Sequence, residues 1–364
     1  KIIIAGGGTG GHIFPAIAIA NALKKIDDKI EILFVGAKGK MEMEKVPQAG
    51  YKIEGLAIAG FNRSSLIKNI GLPFKLIKSF FQVRSIFNSF KPNAVFGVGG
   101  YSSFPVLKFA QSKGIPTFIH ESNAFAGKSN IWLGKNATKI FTGTQGMDKF
   151  FPSDKIFLTG NPVRKNISSS IYTKETAMMQ FGLLPDKQTV LIVGGSLGAN
   201  SINDVIMQNL KHFNELGIQL IWQTGKSQSA KYLNAAKSFS NVYVNSFLND
   251  MSAAYMAADM VVSRAGAMSV AEIAITGKPC VFVPYPFAAE DHQTFNAKTL
   301  VDDGAAFMVK DAMVKDALVP LITDAINQPS ILDNMQKKIK AFAISNADEI
   351  IAKEIIAAVK TSNI

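Results

Sequence analysis

Gly6-Gly7-Gly8-Thr9-Gly10-Gly11-His12 places an imidazole directly behind five glycines in six positions, and the apolar run Ile2-Ile3-Ile4-Ala5 precedes them. Glycines at a strand end permit a tight turn and let backbone N–H groups or a ligand come close. The helix start behind such a turn favours a negative group. A histidine at its mouth has the proton affinity of a general base near neutral pH, so His12 reads as a group for catalysis or substrate contact. Gly6-x-Gly8-x-x-Gly11 also satisfies the dinucleotide fingerprint, which requires an acid at the end of the second strand to hold a ribose. That strand ends Phe34-Val35-Gly36-Ala37-Lys38, and Glu31 stands at its start instead. Lys38 would suit NADP, so the cofactor reading is weakened and not removed. Pro15 is expected in the first helical turn, where a missing N–H costs little.

The second half offers other polar groups. Ser263-Arg264-Ala265-Gly266-Ala267-Met268-Ser269-Val270-Ala271-Glu272 follows an apolar strand and places small residues at a helix start, a fit for phosphate. Glu272, about two turns in, could accept from a pair of ribose hydroxyls; the alternative is a solvated helix charge. Pro284 to Asn296 is a proline-rich loop with Glu290, Asp291, His292 and Gln293 clustered behind a strand, a rim suited to sugar hydroxyls. His12, His120, His212 and His292 lack zinc spacing, and no GxSxG elbow or P-loop is present. No metal and no cofactor is expected.

These groups need strand ends to hold them. Strand-like runs at Ile2-Ala5, Ile32-Gly36, Ala94-Val98, Pro116-His120 and Ile140-Thr142 alternate with helical segments. Thr189-Val193, Gln219-Trp222, Val242-Asn245, Met260-Ser263 and Cys280-Pro284 do so in the second half. Such alternation implies βαβ units and parallel sheets. Val190-Val193 runs into Gly194-Gly195-Ser196-Leu197-Gly198, repeating the opening of the chain. The expectation is an α/β protein with two Rossmann-like domains whose parallel sheets face an interdomain cleft, the ligand site. The domains are expected at 1–161 and 162–345, with a C-terminal helix at 346–364 packing back on the first.

With 364 residues, 48% hydrophobic and 18% charged, the chain has a globular composition. Its single Cys280 cannot form an internal disulfide, which reads as a reducing compartment. No signal peptide or membrane-spanning run is legible. The net charge of +12 is carried by residues 1–163, with 21 Lys and Arg against 9 Asp and Glu, while residues 164–364 hold 18 of each. Residues 55–120 contain eight basic and no acidic residues. Within them, Leu66 to Phe90 interleaves large apolar residues with Lys75, Lys78 and Arg84. Phenylalanine dominates and base-reading polar groups are sparse, so a nucleic-acid partner is disfavoured. The expected partner is an anionic leaflet, contacted by Leu76, Ile77, Phe80, Phe81, Lys75, Lys78 and Arg84.

GGTGGHIFPAIAIA at 7–20, GVGGYSSFP at 97–105, HESNAFAGKSN at 120–130, GNPVR at 160–164, GGSLGANSIN at 194–203, SRAGAMSVAE at 263–272 and AAEDHQTFNA at 288–297 together resemble the MurG family. These are N-acetylglucosaminyltransferases that make lipid II for peptidoglycan, and the motifs span most of the chain in order. The resemblance implies a GT-B fold, with the acceptor on the first domain and UDP-GlcNAc on the second. It implies Arg164, Ser196, Phe247 through its backbone, Ala267, Met268, Ser269, Val270, Ala271, Glu272 and Gln293 as donor-binding residues. Thr9, Gly10, Gly11 and Asn123 would touch the donor sugar from across the cleft. Ser122 departs from the pattern, which often has glutamine there. The implied reaction is inverting and metal-independent: the 4-hydroxyl of MurNAc in lipid I attacks the anomeric carbon of GlcNAc, with His12 as base and Glu121 a weaker alternative. Such an enzyme would work peripherally at the cytoplasmic face of the bacterial inner membrane. The alternatives are a GT-B transferase for another lipid acceptor, a UDP-GlcNAc 2-epimerase, an NADP oxidoreductase and a noncatalytic lipid-carrier binding module.

Overall fold

The computed structural model describes residues 1–59 and 71–361, in two compact units, Lys1–Val163 with Asn346–Ile364 and Arg164–Ser345. The expected apolar segment 66–90 therefore lies outside the described residues up to Ile70.

Unit 1 alternates strand and helix. It begins β1 (Ile2–Ala5), α1 (Gly10–Ile26), β2 (Ile32–Ala37), α2 (Glu42–Gln48), β3 (Lys52–Leu56), α3 (Leu72–Phe90) and β4 (Ala94–Gly97). It continues α4 (Ser103–Ser112), β5 (Thr117–Glu121), α5 (Lys128–Gly134), β6 (Lys139–Thr142) and β7 (Ile156–Leu158). Unit 2 begins α6 (Lys165–Ser168), α7 (Lys174–Gln180), β8 (Thr189–Val193), α8 (Asn200–Gln208), α9 (Leu210–Glu215), β9 (Gln219–Gln223) and α10 (Ser229–Ala236). Then come β10 (Val242–Asn245), α11 (Met251–Ala257), β11 (Met260–Ser263), α12 (Ala267–Thr276), β12 (Cys280–Phe282), α13 (His292–Asp302), β13 (Phe307–Met308), α14 (Val314–Ile326) and α15 (Pro329–Lys340). The chain returns to unit 1 as α16 (Ala347–Thr361).

Among the described residues, one sheet has the order β3-β2-β1-β4-β5-β6-β7 and the other β10-β9-β8-β11-β12-β13, with every pairing parallel. The first sheet is buried on both faces. Ile2 and Ile4 pack with α1 residues Ile13, Ile19 and Leu23 on one side; Ile3 and Ala5 join Val83, Phe87, Val106 and Leu107 on the other. That double burial is why the central strands read as unbroken apolar runs. Ile351, Ala352 and Ile355 of α16 are fully buried in the first of these cores. In each sheet the strand order reverses beside its first strand, at β1/β4 and β8/β11. The loops at such a switch point are where open α/β sheets bind ligands.

Candidate functional site

At the unit 1 switch point, two glycine turns lie backbone on backbone. A Cβ on Gly6 would stand 2.5 Å from the Gly99 carbonyl, and one on Gly100 2.6 Å from the Gly7 carbonyl. Beneath the turn sits Glu42, only 1% exposed. The Gly8 N–H donates to its Oε2 at 2.8 Å, and the Ala37 N–H to its Oε1 at 2.9 Å. A Cβ on Gly7 would collide with that carboxyl group at 2.4 Å. The acid missing from the end of β2 is thus supplied a few residues later, and it holds the loop itself.

α1 begins at Gly10, so His12 lies inside its first turn. Pro15 falls in the second turn rather than the first, because Gly10 and Gly11 take up helical conformation ahead of it; it has no N–H for the Gly11 carbonyl. His12 Nδ1 is 3.1 Å from the Gly7 carbonyl oxygen and 3.4 Å from Thr9 Oγ1. A carbonyl only accepts, so Nδ1 carries the proton and Nε2 the lone pair. Nε2 lies against Gly99, where a Cβ would be 3.1 Å away.

β5 supplies the adjoining group. His120 is buried and its Nε2 contacts the Gly160 carbonyl at 3.3 Å. Burial pushes its pKa down to about 4, so it is neutral at pH 7; the charge of nearby His12 acts in the same direction. Glu121 accepts from Asn123 N–H at 3.1 Å and Asn123 Nδ2 at 3.2 Å through Oε1, and from Gly127 N–H at 3.0 Å and Asn130 Nδ2 at 2.8 Å through Oε2. Four donors fill the two oxygens of this buried carboxylate. Glu121, expected as the weaker alternative base, is in this structure the acceptor that folds the 122–130 loop and holds Asn123. Ser122 is buried, and its carbonyl accepts from Asn161 Nδ2 at 3.1 Å.

In unit 2, Gly195 and Gly198 carry φ of +90° and +89°. A Cβ on Gly225 would lie 2.0 Å from the Gly198 nitrogen, so the loops after β8 and β9 interlock. The Ser196 carbonyl accepts from the Lys226 N–H at 3.1 Å, leaving Ser196 at the surface. α12 starts behind Gly266 with no side-chain cap, and the positive end of its dipole lies at that start. Glu272 is buried rather than solvated: Arg164 Nη2 donates to Oε1 at 3.3 Å and Tyr255 OH to Oε2 at 3.2 Å. Burial raises its pKa, against the pull of Arg164 and the Tyr255 hydrogen bond. Each oxygen keeps a second lone pair for a hydroxyl donor. Gln293 Oε1 accepts from the Tyr285 N–H at 2.9 Å, and Phe247 is exposed behind β10.

Two partnerships here carried no sequence signal. Tyr255 on α11 comes to Glu272 only through the fold. Arg264 donates to the Val283 and Pro284 carbonyls at 3.1 Å, to Asp311 at 2.6 Å and to Ser201 at 3.1 Å, tying the β11, β12 and α8 ends together. Among the described residues no cluster of three His, Cys, Asp or Glu could hold a metal ion.

α3 turns Phe74, Ile77 and Phe81 outward, 75%, 56% and 68% exposed, with Lys75, Lys78 and Arg84 also exposed. Ser79, Val83 and Phe87 are buried, and the Phe87 and Phe109 rings meet at 5.0 Å. Leu76 and Phe80 are half-buried, so the outward apolar stripe runs through Phe74 rather than through those two expected contacts. No described helix is long and apolar enough to cross a membrane.

Comparison with known proteins places this arrangement. Residues 2–142 match the glycosyltransferase family 28 N-terminal domain and residues 189–352 the family 28 C-terminal domain. The chain is 48% identical over 358 residues to the UDP-N-acetylglucosamine--N-acetylmuramyl-(pentapeptide) pyrophosphoryl-undecaprenol N-acetylglucosamine transferase of Phocaeicola vulgatus, covering 98% of this chain and 95% of that one. It is 47% identical to the protein of that name from Bacteroides thetaiotaomicron, covering 100% and 99%. The crystal structure of Acinetobacter baumannii MurG superposes with a TM-score of 0.79 at 30% identity, covering 98% and 99%. A Neisseria meningitidis UDP-GlcNAc 2-epimerase bound to UDP-GlcNAc superposes at 0.66 with 16% identity, covering 98% and 99%, a likeness of fold alone.

Proposed function

Because the chain belongs to the MurG family of N-acetylglucosaminyltransferases, within glycosyltransferase family 28, we propose that it transfers GlcNAc from UDP-GlcNAc to the 4-hydroxyl of MurNAc in lipid I. The product is lipid II, the precursor of peptidoglycan. The observation that carries the chemistry is His12, whose Nδ1 is engaged by the Gly7 carbonyl so that Nε2 takes the lone pair.

In this reading unit 1 presents the acceptor and unit 2 the donor. His12 Nε2 takes the proton of the attacking hydroxyl, which would otherwise develop positive charge as the new bond forms. The hydroxyl oxygen displaces UDP in a single step, so the anomeric configuration inverts to a β1→4 link. The departing diphosphate gains negative charge. The α12 start from Ala267 to Ala271, the Arg164 guanidinium and the Ser196 loop stabilise it without a metal ion. Removing one such donor would cost about 3 kcal/mol of transition-state stabilisation. Glu272 accepts from the ribose hydroxyls, the Phe247 backbone reads uracil, and Gln293 holds the sugar. Thr9, Gly10, Gly11 and Asn123 are the sugar-binding residues assigned to unit 1, with Asn123 held by Glu121.

The acceptor's polyprenyl tail lies in a bilayer, so the enzyme must meet that surface. The outward Phe74, Ile77 and Phe81 with Lys75, Lys78 and Arg84 support peripheral attachment to an anionic cytoplasmic leaflet. The test of function is UDP release from UDP-GlcNAc with a lipid I analogue. Acceptor-dependent release that collapses in His12→Ala, with donor binding kept, is expected. Tight donor binding without release on any lipid I analogue would overturn the assignment in favour of an epimerase or another acceptor.

A further inference from the structure

The Gly7–Gly8 peptide is gripped from both ends. Its N–H, on Gly8, donates to Glu42 Oε2 at 2.8 Å. Its carbonyl, on Gly7, accepts from His12 Nδ1 at 3.1 Å. These two groups belong to one planar, conjugated amide. A negative charge on the N–H side draws electron density toward the carbonyl oxygen, and hydrogen bonds in such a series strengthen one another. The carboxylate that starts the series is buried and fixed, since its other oxygen accepts the Ala37 N–H at 2.9 Å.

We propose that Glu42 is a positioning residue for His12, orienting the imidazole and strengthening it as a base through the intervening Gly7–Gly8 peptide. The arrangement is a carboxylate–histidine pair with one peptide bond inserted. It accounts for three glycines at once. Gly7 leaves room for the carboxyl group, which a Cβ there would meet at 2.4 Å, and Gly36 leaves room for the Glu42 Cγ that carries it, also at 2.4 Å. Gly99 leaves room for the imidazole edge that carries the lone pair. The inference deepens the reading of His12 as the base and rests on it for its catalytic consequence.

Other groups also face His12 or its carboxylate. His120 comes from the end of β5, and Tyr101 comes from the loop before α4, in the field of Glu42. Replacing Glu42 leaves both of them in place. Glu42→Gln removes the charge and turns an N–H₂ toward one of the two backbone donors, while nearly preserving shape.

The experiment is a histidine-selective NMR titration of the full chain without substrate, comparing wild type with Glu42→Gln. Four histidines give four signals, and His12→Ala assigns the one of interest. The His12 midpoint is expected to fall by about one pH unit in the variant, the usual spread of histidine values in folded proteins. The acidic limb of kcat/KM for the acceptor should move down by the same amount, and kcat should drop, with KM for UDP-GlcNAc unchanged. A structural role alone would lower kcat without moving either midpoint, and an unmoved midpoint in a folded variant overturns the proposal. Should the variant not fold, the wild-type Gly8 amide resonance decides. It must titrate with the His12 midpoint, and more strongly than those of Gly10 and Gly11; failure to do so also overturns the relay. A midpoint that moves in a protein inactive on every acceptor would leave the relay standing and remove the transferase reading.

Discussion

His120 offers a stability measurement whose size follows from its surroundings. Its side chain is 2% exposed, and burial lowers its pKa from the ordinary 6.5 to about 4. Because the folded value lies below the unfolded one, the unfolded chain binds the proton first as pH falls. The stabilisation is therefore fully present above pH 6.5 and is lost as pH drops through the folded value. At about 1.4 kcal/mol per unit, the 2.5-unit gap amounts to about 3 kcal/mol. Other groups titrate over the same range, so the informative quantity is the difference between wild type and His120→Gln, which keeps a donor for the Gly160 carbonyl. Trp132 lies in unit 1 and Trp222 in unit 2. In a Trp222→Phe background, Trp132 fluorescence follows the denaturant-induced transition of the unit that holds His120. The wild-type advantage should shrink by about 3 kcal/mol between pH 7 and pH 4. An advantage that stays level across that range would refute the argument that a neutral, buried His120 carries this pH dependence.

Two further outcomes are expected. Phe74→Ser with Phe81→Ser should weaken binding to anionic vesicles about thirtyfold, taking about 1 kcal/mol for each half-inserted ring; sedimentation of the variant equal to wild type would remove α3 as the contact. Tyr255→Phe should raise KM for UDP-GlcNAc with little change in kcat. It should also cost unit 2 about 2 kcal/mol in denaturant titration, the scale of a lost hydrogen bond to a carboxylate; unchanged KM would mean that Glu272 does not depend on Tyr255.

The central strands were legible because both faces of each sheet are buried, which leaves Ile2-Ala5 or Val190-Val193 no polar position. The edges were not. β3, Lys52–Leu56, carries Lys52 and Glu54 facing outward, and β13 is two residues long, so neither gives an apolar run. Glycine turns announced the loops at strand ends, since positive φ at Gly8, Gly195 and Gly198 leaves few other residues possible. What the loops rest on was hidden. Glu42 reaches Gly8 across 34 residues, and nothing in its local spacing marks it. Glu121 illustrates the reverse case: its position behind a strand and beside His120 fits a base, but only the fold reveals four donors already aimed at it. For α3, charge and greasiness marked the surface, while the outward phase was set by the packing of Val83 and Phe87.

α16 closes unit 1 with residues that come last in the described chain, after all of unit 2. Emerging from a ribosome at about 5–20 residues per second, the chain would wait roughly 10–40 s between completing Val163 and producing α16, the time to make residues 164–345. Through that interval the first unit lacks Ile351, Ala352 and Ile355, and the α1 surface they cover stays open to water and to other nascent chains. The second unit, continuous in sequence, can finish first. The unit begun earliest is thus the last whose chain is complete, and the demand on chaperones should fall on it.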